Sequence, residues 1–167
     1  ELGGVTHRRM NEAGKSMLLY KIIEESQNKM EVFNKASKQR GFVDIVADAI
    51  TEFKKYNITP EILKKEGEEI EEALELKNKL KDLSLIYGTF EESIHKKFLD
   101  PQDELTLLAE KLQGCNMYAG AEIWIDEFTT FTPQQYAVIE RLLCCATEVN
   151  ITLLSDTKSL YDIDDIT

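Results

Sequence analysis

Apolar residues recur at steps of three and four along the first two thirds of the chain, the spacing that gathers them on one face of an α-helix. Leu18, Leu19, Ile22, Ile23, Met30 and Phe33 follow this rhythm from Gly14 to Phe33. Phe42, Ile45, Val46, Ala49, Ile50, Phe53 and Tyr56 repeat it more regularly up to Asn57, and the polar, basic stretch from Asn34 to Gly41 reads as the intervening loop. Thr59-Pro60 supplies an N-cap and a proline at the first helical position, so a third helix is expected to begin there, with Gly67 as a point of interruption. From Glu68 to Phe98 a heptad-like stripe of Ala73, Leu76, Leu80, Leu83, Tyr87, Phe90 and Ile94 predicts a long helix that needs a partner helix. Asp100-Pro101-Gln102-Asp103 then caps a helix carrying Leu105, Leu108 and Leu112, which stops at Gly114. Residues 1–114 are therefore expected to be essentially all helical.

After Gly114 the pattern changes. Ala121 to Ile125 is a short β-rich run of the buried type. Thr132-Pro133-Gln134-Gln135 has the form of a capping box, and it opens a helix with Val138, Ile139, Leu142, Leu143 and Ala146 on its inner side. Val149 to Leu154 is a second apolar strand. A crossover of this length makes the strands parallel. Two parallel strands cannot bury both faces alone, so the pair must lean on the helical part or belong to a larger sheet. The expected fold class is mainly α with a small α/β part.

Composition narrows the possible roles. The 167 residues carry 31 acidic and 20 basic side chains, a net charge of −11, which argues against an autonomous, sequence-blind nucleic-acid binder. Cys115, Cys144 and Cys145 are an odd count without C-x-x-C spacing, and they read as reduced thiols in a cytoplasmic protein. No apolar run approaches a membrane span, and no signal-peptide core is present at the amino terminus. A first residue of Glu1 rather than Met, and an end at Thr167 without an obvious stop, read as the boundaries of a piece of something larger.

Candidate chemistry concentrates at Asp126-Glu127, where an apolar strand runs into paired carboxylates in the form of a Walker B element. An ATPase needs one carboxylate there to hold the waters around Mg²⁺ and a second to orient the attacking water. Gly14-Lys15-Ser16 has the look of a P-loop ending, but Arg9 stands where the motif needs glycine, so Lys15 is expected to be a solvated first-turn residue. His7 and His95 lack companions at metal-ligand spacing and read as surface residues, and Ser16, Ser155 and Ser159 sit in no nucleophile pattern. Arg8, Arg9, Lys35, Lys38 and Arg40 precede the second helix; they form either a solvated loop or a phosphate-backbone contact, with Lys35, Lys38 and Arg40 as the candidates for DNA.

With its flanks, the acidic segment resembles motif II of the UvrD/Rep-like superfamily 1 helicases: Asp126, Glu127 and Phe128 match, Gln135 falls at a later Gln position, and Thr129 and Thr130 replace a Gln-Asp pair. Ser155 to Tyr161 is similar to a faded motif III, with Lys158 where a γ-phosphate-sensing Gln would stand. The ordered set of Gly41-Phe42-Val43-Asp44, Thr51 to Tyr56, Lys81 to Tyr87 and Gly120 to Phe128 resembles the B-subunit family of the AddAB (RexAB) ATP-dependent helicase/nucleases over nearly the whole chain.

That resemblance implies a helical 1B-like subdomain over residues 1–114 and a partial RecA-like 1A segment over residues 115–167. It implies ATP and Mg²⁺ as cofactors of the whole protein, an AddA-like subunit and DNA as partners, and a role in double-strand-break processing that responds to a Chi sequence. Asp126 would support Mg²⁺, Glu127 would take the water-orienting catalytic position, and Lys158 would face the nucleotide. The P-loop, the nuclease domain and the iron-sulfur cysteines of the family lie outside this chain, so the isolated piece is expected to be an inactive monomer. The alternatives are a non-catalytic helical scaffold that docks a subunit or DNA, and a free-standing coiled-coil adaptor built on Ala73 to Ile94.

Overall fold

A computed structural model of the chain describes residues 8–95 and 97–154. In chain order the elements are β1 (Arg8–Arg9), α1 (Glu12–Ser26), α2 (Phe33–Ala36), α3 (Phe42–Lys55), α4 (Pro60–Glu69), α5 (Leu74–Ile94), β2 (Phe98–Leu99), α6 (Glu104–Leu112), β3 (Glu122–Ile125), α7 (Pro133–Cys145) and β4 (Glu148–Ile151). The described residues are mainly helical, with a few short parallel strands. None of these helices is long and apolar enough to cross a membrane.

Local chemistry sets most of the helix boundaries. The Asn11 side chain accepts from the Gly14 N–H at 2.8 Å and starts α1, and the Thr59 side chain caps α4 with Pro60 at its first position. In the first core α1 and α3 send Leu19, Ile22, Ile23, Phe42, Val46 and Ile50 inward against Ile86, Phe90 and Ile94 of α5, and α4 adds Leu63. Leu80 and Leu83 of the expected stripe pack against that core, so the stripe finds its partners inside the chain rather than in a coiled coil with another chain. Gly67 does not break α4. It is buried where α4 approaches α5, and a Cβ there would meet the Leu80 Cβ at 3.2 Å.

Several boundaries differ from the expected ones. The first helix ends at Ser26, and a 3₁₀ turn over Gln27–Lys29 carries the chain to the separate short helix α2. The long helix starts at Leu74 instead of Glu68, because α4 already ends at Glu69. Ile45 and Leu76 belong to the apolar stripes yet are 68% and 48% exposed, since each stripe is wider than the face its helix buries. Residues 1–114 are not purely helical either: β1 pairs in parallel with β2, with Arg8 opposite Phe98 and Arg9 opposite Leu99. Strands of two residues are too short to leave an alternating pattern in the sequence.

The second part is the expected βαβ unit. β3 and β4 are parallel, with Ile125 opposite Ile151, and Ile139 of α7 is buried, as are Ala109 and Leu112 of α6. Gln134 joins the two parts. It is 4% exposed, and its side-chain N–H groups donate to the Gln102 carbonyl at 2.9 Å and the Thr106 hydroxyl at 3.0 Å. β3 is not the buried strand its composition predicts: Trp124 is 69% exposed, and Leu153 and Leu154 beyond β4 are exposed as well.

Candidate functional site

Asp126 follows β3 directly, and the parallel pairing continues one step beyond the strands. The Thr152 N–H donates to the Ile125 carbonyl at 3.0 Å, which brings Thr152 alongside Asp126. One carboxylate oxygen of Asp126, Oδ1, then accepts both the Thr152 hydroxyl and the Glu127 N–H, the latter at 2.8 Å. These donors, the Thr152 hydroxyl first, hold the Asp126 carboxyl below its usual range, so it is ionised at neutral pH. Asp126 itself is exposed.

Glu127 occupies the left-handed backbone region at φ 66°, a conformation that costs a non-glycine residue about 1–2 kcal/mol. Its neighbours hold the turn. Phe128 stacks on Phe131 with centroids 5.1 Å apart, and Phe131 meets Tyr136 of α7 edge-on at 5.5 Å. Thr132 and Gln135 form a full capping box, with the Thr132 N–H donating to Gln135 Oε1 at 2.7 Å, so both are cap residues. Strained backbone at an exposed acidic pair is the kind of feature that binding sites retain.

Asp126 and Glu127 offer hard oxygen donors suited to a cation such as Mg²⁺, which keeps several waters and takes its other ligands from phosphates. Among the described residues no group of three His, Cys, Asp or Glu side chains could hold a metal ion by itself. The pair therefore fits a partial site that water and phosphate oxygens must complete. Thr152 is the contributor that sequence reading missed, because a threonine after an apolar strand signals nothing until the strand register is known.

The other candidates lie elsewhere. Lys15 is not solvated: it is 3% exposed, donates to the Thr51 hydroxyl at 3.0 Å and faces Asp100 at 3.5 Å. Two helices and a loop close over its stem, a tertiary effect that a first-turn position does not reveal. Lys35, Lys38 and Arg40 are exposed on α2 and the turn after it, where the tilted contact of Phe33 and Phe42 at 5.3 Å draws the ends of the segment together. His95 is exposed at the end of α5, and the three cysteines are unpaired. His7, Ser155, Lys158 and Ser159 lie outside the described residues.

A second charged constellation surrounds Lys54, which is 4% exposed. Its ammonium lies 2.7 Å from Asp103, 2.8 Å from Glu91 and 3.1 Å from Asp100, and both Lys54 and Lys15 stand over the Phe90 ring. Burial works to lower the Lys54 pKa, but the charge and hydrogen bonds of Asp103, with the nearby charge of Glu91, outweigh it and raise the pKa well above its usual value. Glu91 and Asp103 are also raised, because burial outweighs their share of one ammonium. Asp100 loses water too, yet Lys54, the Gln102 N–H and Lys15 together bring it below the usual range.

The family model described as ADDB, N-terminal, matches residues 1–166. The chain belongs to the AddB amino-terminal family. It is similar to the B subunit of the ATP-dependent helicase/deoxyribonuclease of Clostridium botulinum (strain Loch Maree / Type A3), 53% identical over 156 residues, which are 93% of this chain and 14% of the relative. The protein of the same name from Clostridium tetani (strain Massachusetts / E88) is 53% identical over 155 residues, covering 92% of the chain and 14% of that relative. The one from Caldanaerobacter subterraneus subsp. tengcongensis is 51% identical over 164 residues, covering 98% and 14%. The chain thus spans about a seventh of the length of these AddB-family relatives, and the family expected from its sequence segments is the one found.

Proposed function

We propose that this chain is the part of a DNA-break-processing helicase/deoxyribonuclease subunit that carries its helical 1B-like subdomain, residues 1–114, and a Walker B-bearing piece of a RecA-like 1A domain, residues 115–167. The observation that carries the reading is Asp126, exposed and fixed through Oδ1 at the carboxyl end of a parallel strand, the place where open α/β sheets present their chemistry. In the whole subunit Asp126 would support Mg²⁺, Glu127 would take the water-orienting position, and Lys158, which lies outside the described residues, would stand at the motif III position. ATP with Mg²⁺, when bound, supplies the phosphoryl group. A phosphate-cradling loop from the rest of the polypeptide has to complete the site. Cytoplasmic location, an AddA-like partner subunit, DNA as substrate and an iron-sulfur cluster elsewhere in the subunit belong to the same proposal.

Support for a larger sheet comes from what β3 and β4 leave uncovered. Trp124 and Leu154 are exposed, and the buried Asn150 side-chain N–H group of β4 has no hydrogen-bond partner among the described residues, as expected where neighbouring structure is still to be added. The same exposed face favours one second reading, a non-catalytic docking module in which the acidic pair is vestigial. Thr152 separates the two. In the full-length subunit Thr152→Val is expected to weaken Mg²⁺-dependent nucleotide binding about tenfold, and Thr152→Ser to restore it, because the hydroxyl that serine keeps and valine lacks helps to orient Asp126. Titration with a fluorescent ATP analogue reads this directly; identical affinities for all three proteins favour the docking module.

The basic segment makes a separate prediction. Changing Lys35, Lys38 and Arg40 together to Glu in the full-length subunit is expected to weaken duplex binding and flatten its dependence on salt, since each lost phosphate contact removes about one released counterion. An unchanged slope of log affinity against log salt removes this segment from the DNA path.

A further inference from the structure

A groove of about 650 Å³ opens between the α4–α5 side of the molecule and α6–α7. Ile58, Pro60, Tyr87, Ala109 and Ala137 give it an apolar lining. Its charged lining is one-sided: Glu61, Glu91, Glu92, Asp103 and Glu110 stand against Lys54 and Arg141. Lys54 is not available to a ligand, because Glu91, Asp100 and Asp103 surround it.

Positive charge is short around the lining residues Glu91 and Asp103 and the buried Asp100, which touches Lys54 but is not itself part of the lining. Among the described residues three carboxylates, Glu91, Asp100 and Asp103, share two ammoniums, Lys54 and Lys15, of which Lys15 reaches only Asp100. Glu91 Oε1 and Asp100 Oδ2 lie within ion-pair distance of Lys54, yet no donor of the described residues is aimed at either well enough to hydrogen-bond it. Burial raises both Glu91 and Asp103, the sign of carboxylates that a further cation would stabilise.

We propose that this groove receives an arginine or lysine side chain presented by an apolar-flanked segment of a partner protein. An added cation balances the surplus carboxylate of the cluster around Lys54, and the apolar lining covers the residues on either side of it. The occupant is not nucleic acid, whose phosphates would meet these same carboxylates. Nor is it a second copy of the chain, since two molecules of net charge −11 repel. The inference is independent of the nucleotide reading, because no groove residue belongs to the Asp126 site.

The test uses the full-length subunit and a fluorescein-labelled heptapeptide with a central arginine flanked by leucines, followed by anisotropy. Peptides with lysine or with neutral citrulline at the centre are the comparison. The arginine and lysine peptides are expected to bind at least about tenfold more tightly than the citrulline peptide. Glu92→Gln with Glu110→Gln, both at exposed positions, is expected to remove most of that preference. Converting Glu68 and Glu69 to Gln, which removes the same number of carboxylates from an acidic run outside the groove, is expected to leave it intact. Equal binding of the citrulline peptide, or loss that follows the outside run instead, overturns the proposal. So does a full-length subunit that binds none of the peptides, the result if its own remaining chain fills the groove.

Discussion

Replacing Asp82 with alanine is expected to destabilise the chain by about 3–5 kcal/mol. Asp82 of α5 is 1% exposed, and no lysine or arginine among the described residues forms an ion pair with it. Its carboxylate instead accepts three consecutive backbone N–H groups, those of Glu31, Val32 and Phe33, each at 2.9 Å. Those of Val32 and Phe33 are orphan donors at the start of α2, which has no side-chain cap of its own, so a residue some fifty positions away does the work of an N-cap. Hydrogen bonds to a charged acceptor contribute about 1.5–3 kcal/mol each, and the loop regains part of that by turning its amides to water. Asp82→Asn keeps one carbonyl acceptor and is expected to lose about half as much. Urea unfolding of the chain measures both; a loss below about 1 kcal/mol for the alanine variant contradicts the role. The same anchor holds the segment bearing Lys35, Lys38 and Arg40, so this variant is also expected to loosen it.

Lys54→Met is expected to cost about 3–5 kcal/mol, because it leaves Asp100, Asp103 and Glu91 facing one another with only Lys15 nearby. A methionine of similar length keeps the packing against Phe90, which isolates the charge. Adding Asp103→Asn to Lys54→Met should then recover part of the loss, and a double-mutant cycle measures the coupling. Additive losses would contradict the network. The pH dependence follows from the direction of the shift. Lys54 is raised above its usual 10.5, so its contribution is fully present below that value and is lost as pH rises through the higher folded-state pKa. Lys54→Met should therefore lack the alkaline fall in stability that this residue gives the parent chain.

What the sequence disclosed, and what it hid, divide along physical lines. Contacts between near neighbours were legible: the caps at Thr59 and Thr132, the proline starts of α4 and α7, and the regular stripe of α3 all appear where their patterns place them. Position relative to distant chain was not. Lys15 and Asp82 have the chemistry of surface residues, and only the closing of α3, the Asp100 loop and the Glu31–Phe33 segment over them makes them buried. Trp124 erred in the opposite direction, since an apolar strand reads as buried whether or not its neighbours are part of the same chain. For the candidate site, Asp126 and Glu127 stood out from the strand that precedes them. Thr152 and the left-handed turn at Glu127 emerged only with the register of β3 and β4.

Asp126 and Glu127, on the function proposed above, form half of a nucleotide site that the rest of the polypeptide completes. Calorimetric titration of Mg²⁺-ATP into the isolated chain, the full-length subunit and its Asp126→Asn variant tests this most directly. The predicted result is no binding to the isolated chain, binding to the full-length subunit, and a loss of about tenfold or more in the variant, confined to the Mg²⁺-dependent part of the affinity. Equal binding by the full-length subunit and its Asp126→Asn variant, or binding of Mg²⁺-ATP by the isolated chain with the affinity of the whole, would contradict it.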